Sequence, residues 1–128
     1  MRVLLADDDE PFREALREAL LEEGFEVRLA STVEEACQAA RTEALDVIVS
    51  DVCMPGDGTT LVQRLRPIQP ETPVVLISAL DQPEVRERAL AGGAFDFFTK
   101  PINLGSLRAA LERAWARRTG GGVEGTHR

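Results

Sequence analysis

Residues 47–58 read VIVSDVCMPGDG, and this stretch decides the fold. Val47 to Ser50 is apolar until its last position, as expected of a parallel strand covered on both faces rather than one with a wet side. Asp51 follows at once, and Met54 and Pro55 lead into Gly56 and Gly58, residues that turns need for backbone geometry. The same order, an apolar run and then a polar residue, recurs at Val3 to Ala6 before Asp7 and at Val74 to Ile77 before Ser78. These three runs are the expected central strands. Glu26 to Ala30 alternates, and Asp96 to Thr99 is short and aromatic, so both suit the less protected edges of a sheet.

Between the strands, apolar residues recur at helical spacing. Phe12, Ala15, Leu16, Ala19 and Leu20 mark a first helix, and Val33, Ala36, Cys37 and Ala40 a second. Leu61, Val62 and Leu65 mark a third, Val85, Ala89 and Leu90 a fourth, and Leu104, Leu107, Leu111 and Ala114 a fifth. Gly24 is the expected end of the first helix, Gly92 and Gly93 of the fourth, and Ser31 or Thr32 the cap of the second. Five strands alternating with five helices predict one doubly wound α/β domain over residues 1–118. Residues 119–128, TGGGVEGTHR, are rich in glycine and nearly free of apolar groups, and are expected to form a flexible tail or the start of a linker.

Composition narrows the function. A chain of 128 residues with a formal charge of -7 has the wrong sign to neutralise a phosphate backbone, so no direct grip on nucleic acid is expected of this segment. Cys37 and Cys53 have neither metal-site nor disulfide spacing, which favours a reducing compartment. No stretch has the apolar length of a membrane span and the N-terminus has no signal-peptide core, so a cytoplasmic location is expected.

In an open parallel sheet, ligands bind at the carboxyl ends of the strands. Asp7, Asp8 and Asp9 follow the first strand, Asp51 the third, Ser78 the fourth and Lys100 the fifth. Each has a plain reading by itself: the aspartates as a helix-capping loop, Asp51 as a turn residue, Lys100 as a solvated charge and Ser78 as a hydroxyl satisfied by nearby backbone. Their convergence on one rim favours chemistry, because gathered carboxylates raise one another's pKa unless a cation compensates. Oxygen ligands open to water and phosphate suit Mg²⁺, with Mn²⁺ as a substitute, better than a closed Ca²⁺ cage. Lys100 and Ser78 would then meet the charge on a transferring phosphoryl group, leaving Asp51 as the nucleophile.

The blocks LLADDDEPFR, VSDVCMPGDG, VLISA and GAFDFFTKP resemble, in that order, the signature blocks of response-regulator receiver domains of the CheY-like superfamily, over about residues 2 to 118. The resemblance implies a flavodoxin-like strand order 2-1-3-4-5, and a phosphoacceptor at Asp51 charged by a sensor histidine kinase or phosphotransfer protein. It implies metal binding by Asp7, Asp8, Asp51 and the backbone carbonyl of Cys53, with Asp9 outside the acidic pair. Ser78 resembles the switch hydroxyl, Lys100 the family lysine, and Phe97 the rotating aromatic, with a cis peptide expected before Pro101. Relatives mostly carry threonine at the Ser78 position and often tyrosine at the Phe97 position, so a methyl and a phenol are missing here. Cys53 and Leu80 stand where relatives set the rate of phosphoryl loss, and neither orients water well, which implies a long-lived phosphoryl group. A homodimer or docking face on the fourth helix, fifth strand and fifth helix is also implied, with Arg86, Arg88 and Arg108 there, although solvated charge explains such residues as well.

Two other classes are weighed. A haloacid-dehalogenase phosphatase also forms an aspartyl phosphate, but it needs a second acid two residues on, where this chain has Cys53. A flavin or nucleotide carrier would want glycines after the first strand, where this chain has ADDDEP. A switch that catalyses only its own phosphorylation, rather than an enzyme, is the favoured reading.

Overall fold

The computed structural model describes residues 1–56, 60–80 and 82–117. Gly58 and the segment 119–128 expected as a tail lie outside them. Strands and helices alternate as β1 (Arg2–Ala6), α1 (Glu10–Glu22), β2 (Glu26–Ala30), α2 (Val33–Thr42), β3 (Val47–Asp51), α3 (Leu61–Leu65), β4 (Val74–Ser78), α4 (Pro83–Ala91), β5 (Asp96–Thr99) and α5 (Leu104–His127), the last described as far as residue 117. The sheet is parallel throughout, in the order β2-β1-β3-β4-β5. The apolar runs of β1, β3 and β4 therefore occupy the centre and the two weaker strands the edges, as their patterns require.

Each face of the sheet has its own core, because side chains alternate along a strand. Leu4, Ile48, Leu76 and Phe97 point to the side covered by α2 and α3, with Cys37 and Leu61 among their partners. Val3, Val49 and Ile77 point to the side covered by α1 and α5, with Leu20 and Leu111 among their partners. Thr32 caps α2 by accepting from the Glu35 N–H at 3.0 Å, with Glu34 and Glu35 favourably placed in the first turn.

Two helical expectations shift. α4 buries no residue: Val85 and Ala89 are only partly covered and Leu90 is exposed. It lies by the edge strand β5, which has too little area to cover a full apolar stripe. In α1 the buried anchors are Leu16 and Leu20, while Ala15 faces solvent.

The sheet reverses direction of winding between β1 and β3, so a crevice opens at their carboxyl ends. One wall is the loop after β3, held on α2 by the Val33 N–H, which donates to the Pro55 carbonyl at 3.0 Å. Gly56 allows that contact: its φ is +97°, and a Cβ there would come within 2.8 Å of the Val33 Cβ.

Candidate functional site

Asp7 is the first residue after β1, and its N–H donates to the Ala30 carbonyl at 3.0 Å, so β2 fixes where the acidic loop begins. Asp7 is fully buried. Its Oδ1 accepts from the Asp9 N–H at 2.9 Å, and its Oδ2 faces the Lys100 ammonium at 2.9 Å as an ion pair that lacks hydrogen-bond geometry. Asp8 is exposed at the mouth. Asp9 turns away to cap α1, accepting from the Phe12 N–H at 3.3 Å, which agrees with its exclusion from the acidic pair.

Asp51 is the last residue of β3 and is 4% exposed. Its Oδ1 accepts from the Cys53 N–H at 3.1 Å, and its Oδ2 lies 3.5 Å from the Lys100 Nζ. Lys100 reaches in from the end of β5, with its Nζ 4.1 Å from the centre of the Phe12 ring. The Lys100–Pro101 peptide is cis. Carboxylate oxygens of Asp7, Asp8 and Asp51 all lie within 4.8 Å of one another.

Ser78 is buried at the end of β4, one step beyond the Ile77 that pairs in register with Asp51. Its hydroxyl accepts from the Leu80 N–H at 2.9 Å, the local satisfaction that the plain reading foresees, and its own O–H remains able to donate. Phe97 sits apart from the acidic cluster, 3% exposed in the core under α2 and α3.

The electrostatics follow from burial. Burial raises the pKa of Asp51 and the charge of Asp7 raises it further, against the lowering effects of the Cys53 N–H and Lys100. For Lys100, burial acts downward, but its contact with Asp7 and the charges of Asp51 and Asp7 outweigh this and raise its pKa. In the ion-free protein the folded state therefore holds the Asp51 proton at pH values where the unfolded chain has lost it. Stability falls as pH rises through the raised pKa. Asp51→Asn removes that penalty, and in EDTA at neutral pH it should be more stable by about 1 kcal/mol; a melting temperature below that of the wild type would contradict this.

The donor set fits a hard divalent cation. All three side chains offer oxygen, and among the described residues one buried carboxylate oxygen of the cluster lacks a hydrogen bond and a single ammonium faces it. The cluster can thus coordinate a divalent metal.

Comparison with known proteins decides the family. Residues 3–112 match the response regulator receiver domain. The chain belongs to that family. The receiver domain is 38% identical over 120 residues to the response regulator MprA of Mycobacterium leprae, covering 93% of this chain and 52% of that one. In three dimensions it resembles the Francisella response regulator 1452 receiver domain, at a TM-score of 0.84 and 34% identity, over 91% of this chain and 97% of that one. A response regulator from Burkholderia pseudomallei with a phosphorylated aspartic acid, calcium ion and citrate matches at a TM-score of 0.81 and 26% identity, over 98% of this chain and 72% of that one. The chain spans between 26% and 52% of the length of the curated relatives it first matches. The segment is a phosphoacceptor receiver domain with the doubly wound fold, and receiver domains act as self-phosphorylating switches. Among the described residues no helix is long and apolar enough to cross a membrane.

Two residues of the receiver domain's site escaped sequence reasoning. Phe12 has the spacing of a core residue, and nothing in that spacing signals its contact with an ammonium. Arg13 donates from Nη1 to the Asp7 carbonyl at 2.8 Å, a contact that side-chain pattern does not signal.

Proposed function

We propose that this receiver domain accepts a phosphoryl group on Asp51 from a phosphohistidine of a sensor histidine kinase or phosphotransfer protein. The reaction depends on Mg²⁺, with Mn²⁺ able to replace it, and the modified domain changes conformation to control a partner or an attached output domain. One observation carries the reading: a nearly buried Asp51 shares a cluster with Asp7 and Asp8 and faces the ammonium of Lys100.

Asp7, Asp8, Asp51 and the backbone carbonyl of Cys53 would hold the ion. When bound, it would offset the charge of the carboxylates and of the phosphoryl oxygens. A carboxylate oxygen of Asp51 attacks phosphorus, the bond from phosphorus to the donor breaks, and the donor leaves with the electron pair. Lys100 and the Ser78 hydroxyl meet the charge on the transferred group, which would draw the β4–α4 loop inward. Phe97, on the edge strand beside the poorly anchored α4, is the aromatic whose rearrangement carries the change outward. Pro101 serves the turn that follows β5 and frames the site. The Burkholderia relative, with its phosphorylated aspartic acid and its divalent ion, supports the chemistry by likeness.

Self-association through α4, β5 and α5 belongs to the same proposal. Arg88 is exposed for it, whereas Arg86 donates to the Phe97 carbonyl at 3.1 Å and Arg108 is paired with Glu23 and Glu112.

Acetyl phosphate tests the reading without a cognate kinase. In Mg²⁺ the intact mass should rise by one phosphoryl group, EDTA should abolish the gain and added Mg²⁺ restore it; no gain under any of these conditions would overturn the proposal. With the exposed Cys53 and Leu80 beside the site, neither suited to orienting water, the label should persist after the donor is removed. Decay faster than that of free acetyl phosphate would contradict the expected slow hydrolysis.

A further inference from the structure

Arg13 lies beside the acidic loop, yet the reaction above gives it no task. Helical side chains lean toward the N-terminus, so from the first turn of α1 it reaches back to the loop that feeds the helix. Its side chain is 15% exposed, its Nη1 donates to the Asp7 carbonyl at 2.8 Å, and its Nε is buried without a hydrogen-bond partner. Among the described residues the one carboxylate paired with it, through Oε2 of Glu14, stands 3.9 Å from Nε. By charge alone, a guanidinium in this place opposes a divalent cation in the cluster.

Its hydrogen bond acts the other way. A peptide group is planar, so a bond to the Asp7 carbonyl also orients the Asp8 N–H and the Asp8 Cα in the same plane. Asp7 is otherwise well held, by Ala30 through its N–H, by Asp9 through Oδ1 and by Lys100 through Oδ2. Asp8 is not: its carboxylate is exposed and makes no hydrogen bond or ion pair among the described residues, yet it comes within 4.8 Å of the other two.

We propose that Arg13 is a positioning residue, holding the Asp8 carboxylate in the divalent-cation cluster through the Asp7–Asp8 peptide. The inference rests on the cation reading given above. It predicts a sign that simple charge does not, since losing the guanidinium should weaken cation binding although it removes a like charge.

The test is calorimetric titration of Mg²⁺ alone, with no phosphodonor, into the full chain. Arg13→Met keeps the stem but loses the charge and the donors, while Arg13→Lys keeps the charge and one donor group. Arg17→Met is the control, for Arg17 lies one turn further along α1 and is paired with Glu14 at 3.6 Å. Arg13→Met should bind Mg²⁺ about tenfold more weakly, as for loss of a group that orients a metal ligand. Arg13→Lys should recover most of that loss and Arg17→Met should bind as the wild type does. Equal or tighter binding by a folded Arg13→Met, checked by circular dichroism, overturns the inference. Should that variant not fold, the neutral and shorter Arg13→Gln carries the same two outcomes. A wild type that takes up no Mg²⁺ overturns the cation reading, and the role of Arg13 with it; normal wild-type uptake with unchanged Arg13 variants overturns the role of Arg13 alone.

Discussion

Asp51→Asn is expected to take up no phosphoryl group from acetyl phosphate under conditions where the wild type gains one. The substitution keeps the shape of the side chain and can keep the oxygen that accepts from the Cys53 N–H at 3.1 Å. It removes the anionic oxygen, and an amide whose lone pair is delocalised does not attack phosphorus. A structural role for Asp51 would predict a damaged fold instead. The chemistry predicts a sound one, firmer than the wild type without metal, because a buried like charge next to Asp7 has gone. Excess Mg²⁺ should reverse that ranking: a ligand at about a hundred times its Kd stabilises by about 2.7 kcal/mol, and the variant has lost part of the ion's ligand set. Intact-mass measurement and thermal melting on the same samples would check both halves, and a full mass gain in the variant would exclude Asp51 as the acceptor.

Lys100→Met should slow phosphorylation by about 10²- to 10³-fold, the usual effect of removing one preorganised donor from a developing anion. The side chain is 15% exposed, and its ammonium lies between Asp7 at 2.9 Å and Asp51 at 3.5 Å and rests against Phe12, so water is poorly placed to replace it. Its loss also leaves the buried Asp7 carboxylate without a counter-charge, and the ion-free fold should weaken by about 2 kcal/mol. The two substitutions thus shift ion-free stability in opposite directions, as expected where the carboxylates of the cluster outnumber the ammonium groups facing it among the described residues. Labelling rates from quenched time courses and urea unfolding in EDTA measure the two effects. A Lys100→Met protein that labels at the wild-type rate would remove the lysine from the chemistry.

The sheet was legible because strands covered on both faces leave an unbroken apolar run, as at Val47 to Ser50 and Val74 to Ile77, where every residue is buried. The site was legible in outline for a related reason: Asp7, Asp51, Ser78 and Lys100 each interrupt or follow such a run, and a parallel sheet brings those interruptions to one rim. Leu90 marks α4 as its spacing indicates but is exposed, since helical spacing reports which residues share a stripe and not whether the sheet extends far enough to cover it. Phe12 and Arg13 were hidden for another reason. Their partners, the Lys100 ammonium and the Asp7 carbonyl, lie on another strand end and in the main chain, where side-chain pattern carries no signal. Family likeness supplied the acceptor and ligand roles, while the distances around Lys100 came only from the fold.

The central claim is that Asp51 itself becomes the acyl phosphate. Borohydride reduction of the labelled protein converts an aspartyl phosphate to homoserine, and peptide mapping then finds where it formed. Homoserine at position 51, dependent on Mg²⁺ and on the donor, is the predicted result; reduction at Asp7, Asp8 or any other carboxylate, with Asp51 intact, would contradict it.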